Sequence, residues 1–237
     1  MKKLKYTHDT ATHNTQAARE MIPFILDLCK PTKVLDVGCG LGTWAFVFKE
    51  EGINVVGIDW DGVDRDLLVL DKSEFIPTDL EKGFDLKEKF DLIICLEVAE
   101  HLSASSSDLF LESLINHSDT IIFSAAIPNQ GGDNHVNEQP FNYWVDKFQT
   151  HGYHFYDCFR DKFWNNQKIE WWYRQNMFLV SKLDFPFQKI TDPNLYIHPG
   201  LFEKKNNEIK RFYTGDFSIL VGLKFFLKTI LNKFKNK

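Results

Sequence analysis

Apolar residues at Ala18, Met21, Ile22, Ile25, Leu26 and Cys29 return every three or four positions, which lines them along one face of a helix over 15–29, and Pro31 stops it. The period then shortens. Residues 33–37 read as a short buried strand, 38–42 as a glycine-bearing turn, and 43–51 as a second helix ended by Gly52. Further β-rich runs cover 54–58, 91–96 and 120–125, with helical stretches such as 108–116 between them. Strands that alternate with helices predict an α/β fold, a parallel sheet covered on both faces.

The last third departs from that rhythm. Residues 153–159 and 177–180 pattern as strands with no long helix between them, which suits an antiparallel strand at the sheet edge. Residues 160–174, which hold Trp164, Trp171, Trp172 and Tyr173, follow no clear period. Past Lys182 the chain turns rich in Pro, Asn and Lys. The pattern divides it into a lead-in and helix over 1–30, a main domain over 31–182 and an extension over 183–237.

At 237 residues, 43% hydrophobic and 26% charged, the chain has the make-up of one globular domain with a short appendage, which excludes collagen, coiled coil and wholesale disorder. A net charge of −5 argues against a surface built to neutralise phosphates, so no nucleic acid partner is expected. Cys29, Cys39, Cys95 and Cys158 are scattered without a C-x-x-C pair and are expected as reduced thiols of a cytoplasmic protein. Residues 1–14 are polar, unlike a signal peptide, and the longest apolar run, 219–231, is interrupted by Lys224 and Lys228, so it is not expected to span a bilayer.

In Val34-Leu35-Asp36-Val37-Gly38-Cys39-Gly40-Leu41-Gly42-Thr43 three glycines alternate where a strand hands over to a helix, a place where the backbone meets a ligand or simply turns tightly. Asp36 stands two residues before the first glycine. Asp59 closes the next strand, 21 residues after Gly38, where a carboxylate meets a ribose diol. A dinucleotide fingerprint requires glycine where Thr43 stands, and Asp36 would repel a pyrophosphate. The charge pattern suits S-adenosylmethionine, which carries an ammonium, a sulfonium and a ribose but no phosphate.

This segment resembles the first motif of the class I S-adenosylmethionine-dependent methyltransferases. The resemblance implies a Rossmann-like fold with a mostly parallel seven-stranded sheet, an antiparallel strand near its C-terminal edge, and 31–182 as the methyltransferase domain. It also implies that Asp36, Gly38, Cys39, Gly40 and Gly42 line the cofactor, that Asp59 takes the ribose hydroxyls, and that Asp79 with Leu80 meets the adenine. Asp79 also reads as a helix N-cap or a loop acid. Trp60 packs on the adenine or fills the surface.

Where 91–96 ends, Glu97-Val98-Ala99-Glu100-His101-Leu102 places E-x-x-E-H at the carboxyl end of a central strand, the position at which open α/β sheets bind their ligands. On a helix Glu97, Glu100 and His101 share one face at i, i+3 and i+4, and His135, in the polar loop 126–139, is the candidate fourth member. The string resembles that of small-molecule O-methyltransferases of the ubiquinone type and of methyltransferases acting on RNA 3′ ends. That resemblance implies a divalent metal on Glu97, Glu100 and His101, and the donor set completed by His135 suits magnesium or manganese, the histidines making manganese or cobalt attractive too; Glu97 is also expected at the cofactor, and His135, His101 and Glu100 are the catalytic candidates. A Lewis acid lowers the cost of deprotonating an attacking hydroxyl. Two other readings stand beside it: His101 or His135 as a metal-free general base, and purely structural roles for all four.

From about His8 to Lys182 the chain resembles bacterial methyltransferases associated with surface-polysaccharide gene sets, most distinctively at His13-Asn14, Asp59, 97–102, 130–139 and 170–173. The resemblance implies a sugar hydroxyl as acceptor, on a nucleotide-activated hexose or heptose destined for capsule or another surface polysaccharide. Tyr143, Trp144, Trp164, Trp171, Trp172 and Tyr173 offer flat faces for a sugar or base, or fill the core, and Arg160 and Arg174 are candidates to pair with a diphosphate. His13 and Asn14 either fold over the cofactor or acceptor or begin the first helix. The rival acceptors are phenolic, phosphorus-linked or RNA, and a non-catalytic cofactor-binding subunit is the rival of another class.

Ile219, Leu223, Phe226, Leu227, Ile230 and Phe234 form one helical stripe, and 218–237 contains no acid. Such a basic amphipathic helix packs on its own domain, contacts a second subunit, or rests peripherally on the inner face of an anionic membrane.

Overall fold

The computed structural model describes residues 14–191, 196–216 and 218–235, and the chain divides into two compact units, 1–196 and 197–237. The first unit begins with α1 (Gln16–Cys29), where Asn14 Oδ1 accepts the Gln16 amide at 2.8 Å and so supports the first turn. His13 lies outside the described residues. The expected strand, turn and helix follow as β1 (Lys33–Val37) and α2 (Thr43–Glu50), then β2 (Asn54–Asp59), β3 (Phe75–Pro77), β4 (Leu92–Leu96), α3 (Ser107–Ile115) and β5 (Thr120–Ser124). Beyond β5 come α4 (Phe141–Gln149), β6 (His154–Tyr156), α5 (Phe159–Phe163), α6 (Trp171–Asn176), β7 (Phe178–Ser181) and β8 (Lys189–Ile190).

The strands form a single sheet in the order β3-β2-β1-β4-β5-β7-β6-β8. The pairings from β3 through β5 are parallel, whereas β7 runs antiparallel to β5 and β6, and β8 antiparallel to β6. The antiparallel edge is as expected; the strand number is eight rather than seven. The extra pairing is β8, whose two residues are too short to leave a period in the sequence. Strand β6 is also shorter than the expected 153–159, because Phe159 already opens α5.

Alternation along the central strands feeds two cores. Val34, Leu92, Ile94, Ile122 and Leu179 pack with α1, α2 and α5 through Met21, Ile22, Phe48 and Phe159. On the other side Phe123 meets Trp144 and Phe148 of α4, with ring centroids 5.3 and 5.4 Å apart. All four cysteines are free thiols, three of them buried.

Because β1 leads outward to β2 and β3 while β4 and β5 lie on its other side, the strand order reverses between β1 and β4. The crevice at the carboxyl ends of the strands opens at that reversal, where such sheets bind ligands.

The second unit consists of α7 (Pro199–Thr214) and α8 (Ile219–Lys235). His198 Nδ1 accepts the Gly200 amide at 3.0 Å and caps α7, and Gly215, at φ +69°, ends it. Among the described residues no helix is long and apolar enough to cross a membrane.

Candidate active site

The glycine turn leaves β1 with Gly38, Gly40 and Gly42 at φ +74°, +54° and +81°, in the left-handed region that side chains disfavour. Space matters as well: a Cβ on Gly38 would lie 2.3 Å from Val98 Cγ2, so the turn touches the residue that follows Glu97. Asp59, at the end of β2, ties the turn down, since its Oδ2 accepts the Gly40 amide at 2.7 Å and its Oδ1 accepts the Trp60 amide at 2.6 Å. Burial nonetheless pushes the Asp59 carboxyl above its usual range.

Asp36 is buried beneath the turn, where its Oδ2 accepts the Ala45 amide at 3.2 Å. Burial, with the nearby Asp59 charge adding to it, raises Asp36 to about 7 despite that hydrogen bond. Two carboxylates held in a low-dielectric pocket favour an approaching cation. Cys39 is buried beside them and its thiol is pushed well up. The half-buried Trp60 covers Gly62 and packs on Cys39, Leu41, Val63 and Phe75.

Next to Asp59 the chain pairs Asp59 with Pro77, so Asp79 stands two residues beyond that pair, at the same rim. Its carboxylate meets Lys82 Nζ at 2.9 Å, and its carbonyl accepts the Lys82 amide at the start of the 3-10 turn Leu80–Lys82. The Asp79 side chain does not cap that turn, and Leu80 is buried under it.

At the end of β4 the structure redistributes the E-x-x-E-H residues. Glu97 has φ +55°, and only Ala99–His101 follow as a 3-10 turn, so Glu97, Glu100 and His101 do not share the helical face expected of them. Ligand atoms of Glu100, His101 and His135 lie within 4.8 Å of one another, and Glu97 is not one of that group. Its carboxylate is instead held by Asn176 Nδ2, at 3.0 and 3.2 Å to its two oxygens, and by Gln130 Nε2 at 3.0 Å. Burial raises Glu97 above the usual carboxylate range, with those amides and Ser124 working against it. Gln130 Oε1 accepts from Asn176 Nδ2 at 3.0 Å, which links the loop after β5 to the last turn of α6.

The loop carrying His135 reaches Glu100 through its backbone: the amides of Val136 and Asn137 both donate to the Glu100 carbonyl, at 2.9 and 3.1 Å. Asn137 Nδ2 adds bonds to the Ala99 carbonyl and Ser107 Oγ. The His135 and His101 rings then stand edge to face, with centroids 4.9 Å apart. Glu138 Oε1 meets His135 Nδ1 at 2.8 Å and also accepts the Gly131 amide at 2.6 Å. Burial opposes ionisation of Glu138, yet the His135 hydrogen bond and the Gly131 and Asn129 amides hold its carboxyl below the usual range.

Glu100 is the exceptional member. It is fully buried, and among the described residues neither carboxylate oxygen has a side-chain hydrogen-bond partner; the Glu100 and Ala126 amides are the groups that face it. Burial and the Glu97 charge drive its carboxyl well above the ordinary range. An orphaned buried carboxylate beside two imidazoles is a donor set that a divalent cation satisfies.

Several expected contacts fall elsewhere. Trp144 is core, and Arg160 is buried over Phe178 and Tyr196 with its Nε on Asp157 at 2.7 Å. Trp164 packs against Tyr196, and its carbonyl accepts from Arg174 Nη1 at 2.9 Å. Tyr143 packs edge-on against Trp144. The Trp171-Trp172-Tyr173 run opens α6, the helix whose end holds Glu97, and Tyr173 meets Trp44 of α2 at 5.4 Å. Trp171 and Trp172 stay half-buried. Sequence reasoning assigned no role to Gln130, Glu138 or Asn176; Gln130 and Glu138 stand in the distinctive stretch 130–139, whereas Asn176 left no signal.

Among the solved structures that superpose on this chain with TM-scores above one half are two methyltransferases. The magnesium protoporphyrin IX methyltransferase of Synechocystis, with bound SAH, gives TM-score 0.53 at 16% identity over 75% of this chain and 90% of that one. The methyltransferase domain of bacterial CtHen1 gives 0.51 at 19% identity over 71% and 98%. Both show the fold. Among curated proteins, the ubiquinone biosynthesis O-methyltransferase of Pasteurella multocida is 32% identical over 111 residues, 39% of this chain and 45% of the relative. That of Rickettsia typhi is 30% identical over 91 residues, 36% of each. The chain thus spans less than half the length of either curated relative. The family described as a methyltransferase domain matches residues 11–177, which carry the glycine turn, Glu97 to His101 and His135. The chain therefore belongs to that methyltransferase-domain family.

Proposed function

We propose that this chain transfers a methyl group from S-adenosylmethionine to a hydroxyl, assisted by a divalent metal, magnesium or manganese, and that the hydroxyl belongs to a sugar, on a nucleotide-activated hexose or heptose used for surface polysaccharide. The observation that carries the reading is the buried Glu100 carboxylate, without a side-chain partner among the described residues, beside His101 and His135 at the carboxyl end of β4. Asp36 and the glycine turn hold the cationic methionine end, Asp59 takes the ribose diol, and Asp79 with Leu80 borders the adenine. Glu97, fixed by Asn176 and Gln130, serves the cofactor side rather than the metal. Sulfonium chemistry supplies its own leaving group, so the chain acts mainly by alignment. Glu100, His101 and His135 hold the metal, which lowers the pKa of an acceptor hydroxyl when bound.

The sugar is supported by Trp171 and Trp172, half-buried faces on the helix that grips Glu97. A second reading has an observation of its own: both curated relatives are ubiquinone biosynthesis O-methyltransferases, which favours a phenolic acceptor.

The test incubates the chain with labelled S-adenosylmethionine, nucleotide-linked sugars and phenols, with EDTA and with added magnesium or manganese. Label on a sugar, abolished by EDTA and restored by metal, is the expected result. Transfer indifferent to EDTA overturns the metal, and label on phenols alone overturns the sugar.

A further inference from the structure

The helix α8 meets α7 through Phe225, whose ring lies 5.4 Å from that of Phe212 in an edge-on contact. Helical spacing puts Ile219, Leu223, Phe226, Leu227, Ile230 and Leu231 on the opposite side of α8 from Phe225. Along that stripe Ile219 is 84% exposed, Phe226 63% and Leu231 61%. Such a continuous exposed apolar strip is far from the usual scatter of single surface hydrophobes. Lys224 and Lys228, both exposed, lie beside the stripe. Residues 218–237 hold five lysines and no acid, within a chain whose net charge is −5.

These features select one kind of occupant. A second copy brought face to face would set lysines against lysines with no acid in the segment to pair them. An anionic bilayer offers both complements: acyl chains for the stripe and head-group charge for the lysines, whose stems reach outward past the apolar layer. Seventeen residues interrupted by Lys224 and Lys228 are suited to lying in the interface, not to crossing it.

We propose that α8 is an interfacial helix that docks this methyltransferase on an anionic lipid surface, with the Ile219–Leu231 stripe inserted and Lys224 and Lys228 at the head groups. The attraction is the sum of apolar burial and charge, so both halves are separately testable. Neither depends on which hydroxyl is methylated.

The experiment is co-sedimentation of the full chain with phosphatidylcholine vesicles and with vesicles of phosphatidylcholine and phosphatidylglycerol at 70:30. Binding to the mixed vesicles alone, weakened by salt, is expected. Leu223→Glu with Phe226→Glu abolishes it, and Lys224→Gln with Lys228→Gln weakens it about 25-fold, at roughly a fivefold loss per lysine. Circular dichroism and unchanged cofactor affinity show that the variants remain folded. Binding to neither vesicle, or equally to both, overturns the proposal. So does a dimer, seen by sedimentation equilibrium, that the Leu223→Glu, Phe226→Glu variant dissociates while vesicles fail to bind.

Discussion

The ring of His135 is oriented by Glu138, whose Oε1 stands 2.8 Å from His135 Nδ1 while the same carboxylate oxygen accepts the Gly131 amide. The pair works within one loop, which the Glu100 carbonyl anchors through the Val136 and Asn137 amides. A carboxylate behind a metal-binding imidazole raises its basicity and fixes its tautomer. Replacing Glu138 with Ala is expected to weaken manganese or magnesium affinity by about ten- to a hundredfold. Turnover titrated against metal reads this as a rightward shift, with most of the maximal rate recovered at high metal. Superimposable titrations for the two proteins would remove Glu138 from the site.

His135 itself carries more. His135→Ala is expected to cut turnover by two orders of magnitude or more while leaving the cofactor Kd within about threefold, because Asp36, Asp59 and the glycine turn are untouched. Single-turnover rates and cofactor titration separate the two. An unchanged rate in this variant would defeat the assignment.

Asp36 makes a pH prediction with a definite sign. Its carboxyl is raised by burial to about 7, well above the ordinary 3.8, so between those values the folded chain keeps a proton that the unfolded chain has lost. Folding stability therefore declines as pH rises through that window, by up to about 4 kcal/mol for this group. Asp36→Asn removes the penalty and is expected to raise Tm at pH 8 while changing it little at pH 4. The cationic cofactor prefers the ionised form, so its affinity tightens as pH rises towards 7 in the wild type and stays flat in Asp36→Asn. Calorimetric titration from pH 5.5 to 8 checks this, and parallel pH profiles for the two proteins would contradict it.

Why was half of the site legible from sequence and the rest not? The glycine turn, Asp36 and Asp59 sit on β1 and β2, where local period and glycine chemistry fix the backbone, so their positions follow from short-range pattern. Glu100, His101 and His135 were also nameable as residue types, and the Val136 and Asn137 amides that unite them bond a carbonyl, which leaves no side-chain signal. Glu97 was misplaced on a helical face because nothing in E-x-x-E-H reveals a left-handed residue at its first position. Its partner Asn176 lies 79 residues away in the irregular tryptophan region. The eighth strand, β8, escaped because two residues carry no alternation.

That long-range pair can be broken. Asn176→Ala strips Glu97 of the donor that reaches both of its oxygens, leaving a buried carboxylate with fewer partners. A loss of about 1–3 kcal/mol in unfolding free energy is expected. The deficit grows with pH, since Glu97 is already raised by burial and loses an amide that favours its charged form. Urea unfolding at pH 5 and pH 8 checks both points; a smaller deficit at pH 8 would show that Asn176 does not support the ionised carboxylate.

Gly38 and Val98 test whether the two halves of the crevice are in contact. Gly38→Ala introduces a Cβ at φ +74°, 2.3 Å from Val98 Cγ2, whereas Gly52→Ala at φ +80° meets nothing within 4 Å. Gly52→Ala therefore measures backbone strain alone, about 1–2 kcal/mol, with cofactor affinity unchanged. Gly38→Ala is expected to cost more and to weaken the cofactor as well, because the turn must move off Val98. Adding Val98→Ala opens the space but leaves φ as it was. The double variant should then be less destabilised than the two single losses combined, a coupling that a double-mutant cycle reads directly. Strict additivity would mean that Val98 does not set the cost of Gly38→Ala, and would separate the glycine turn from the segment after β4 that carries Glu97.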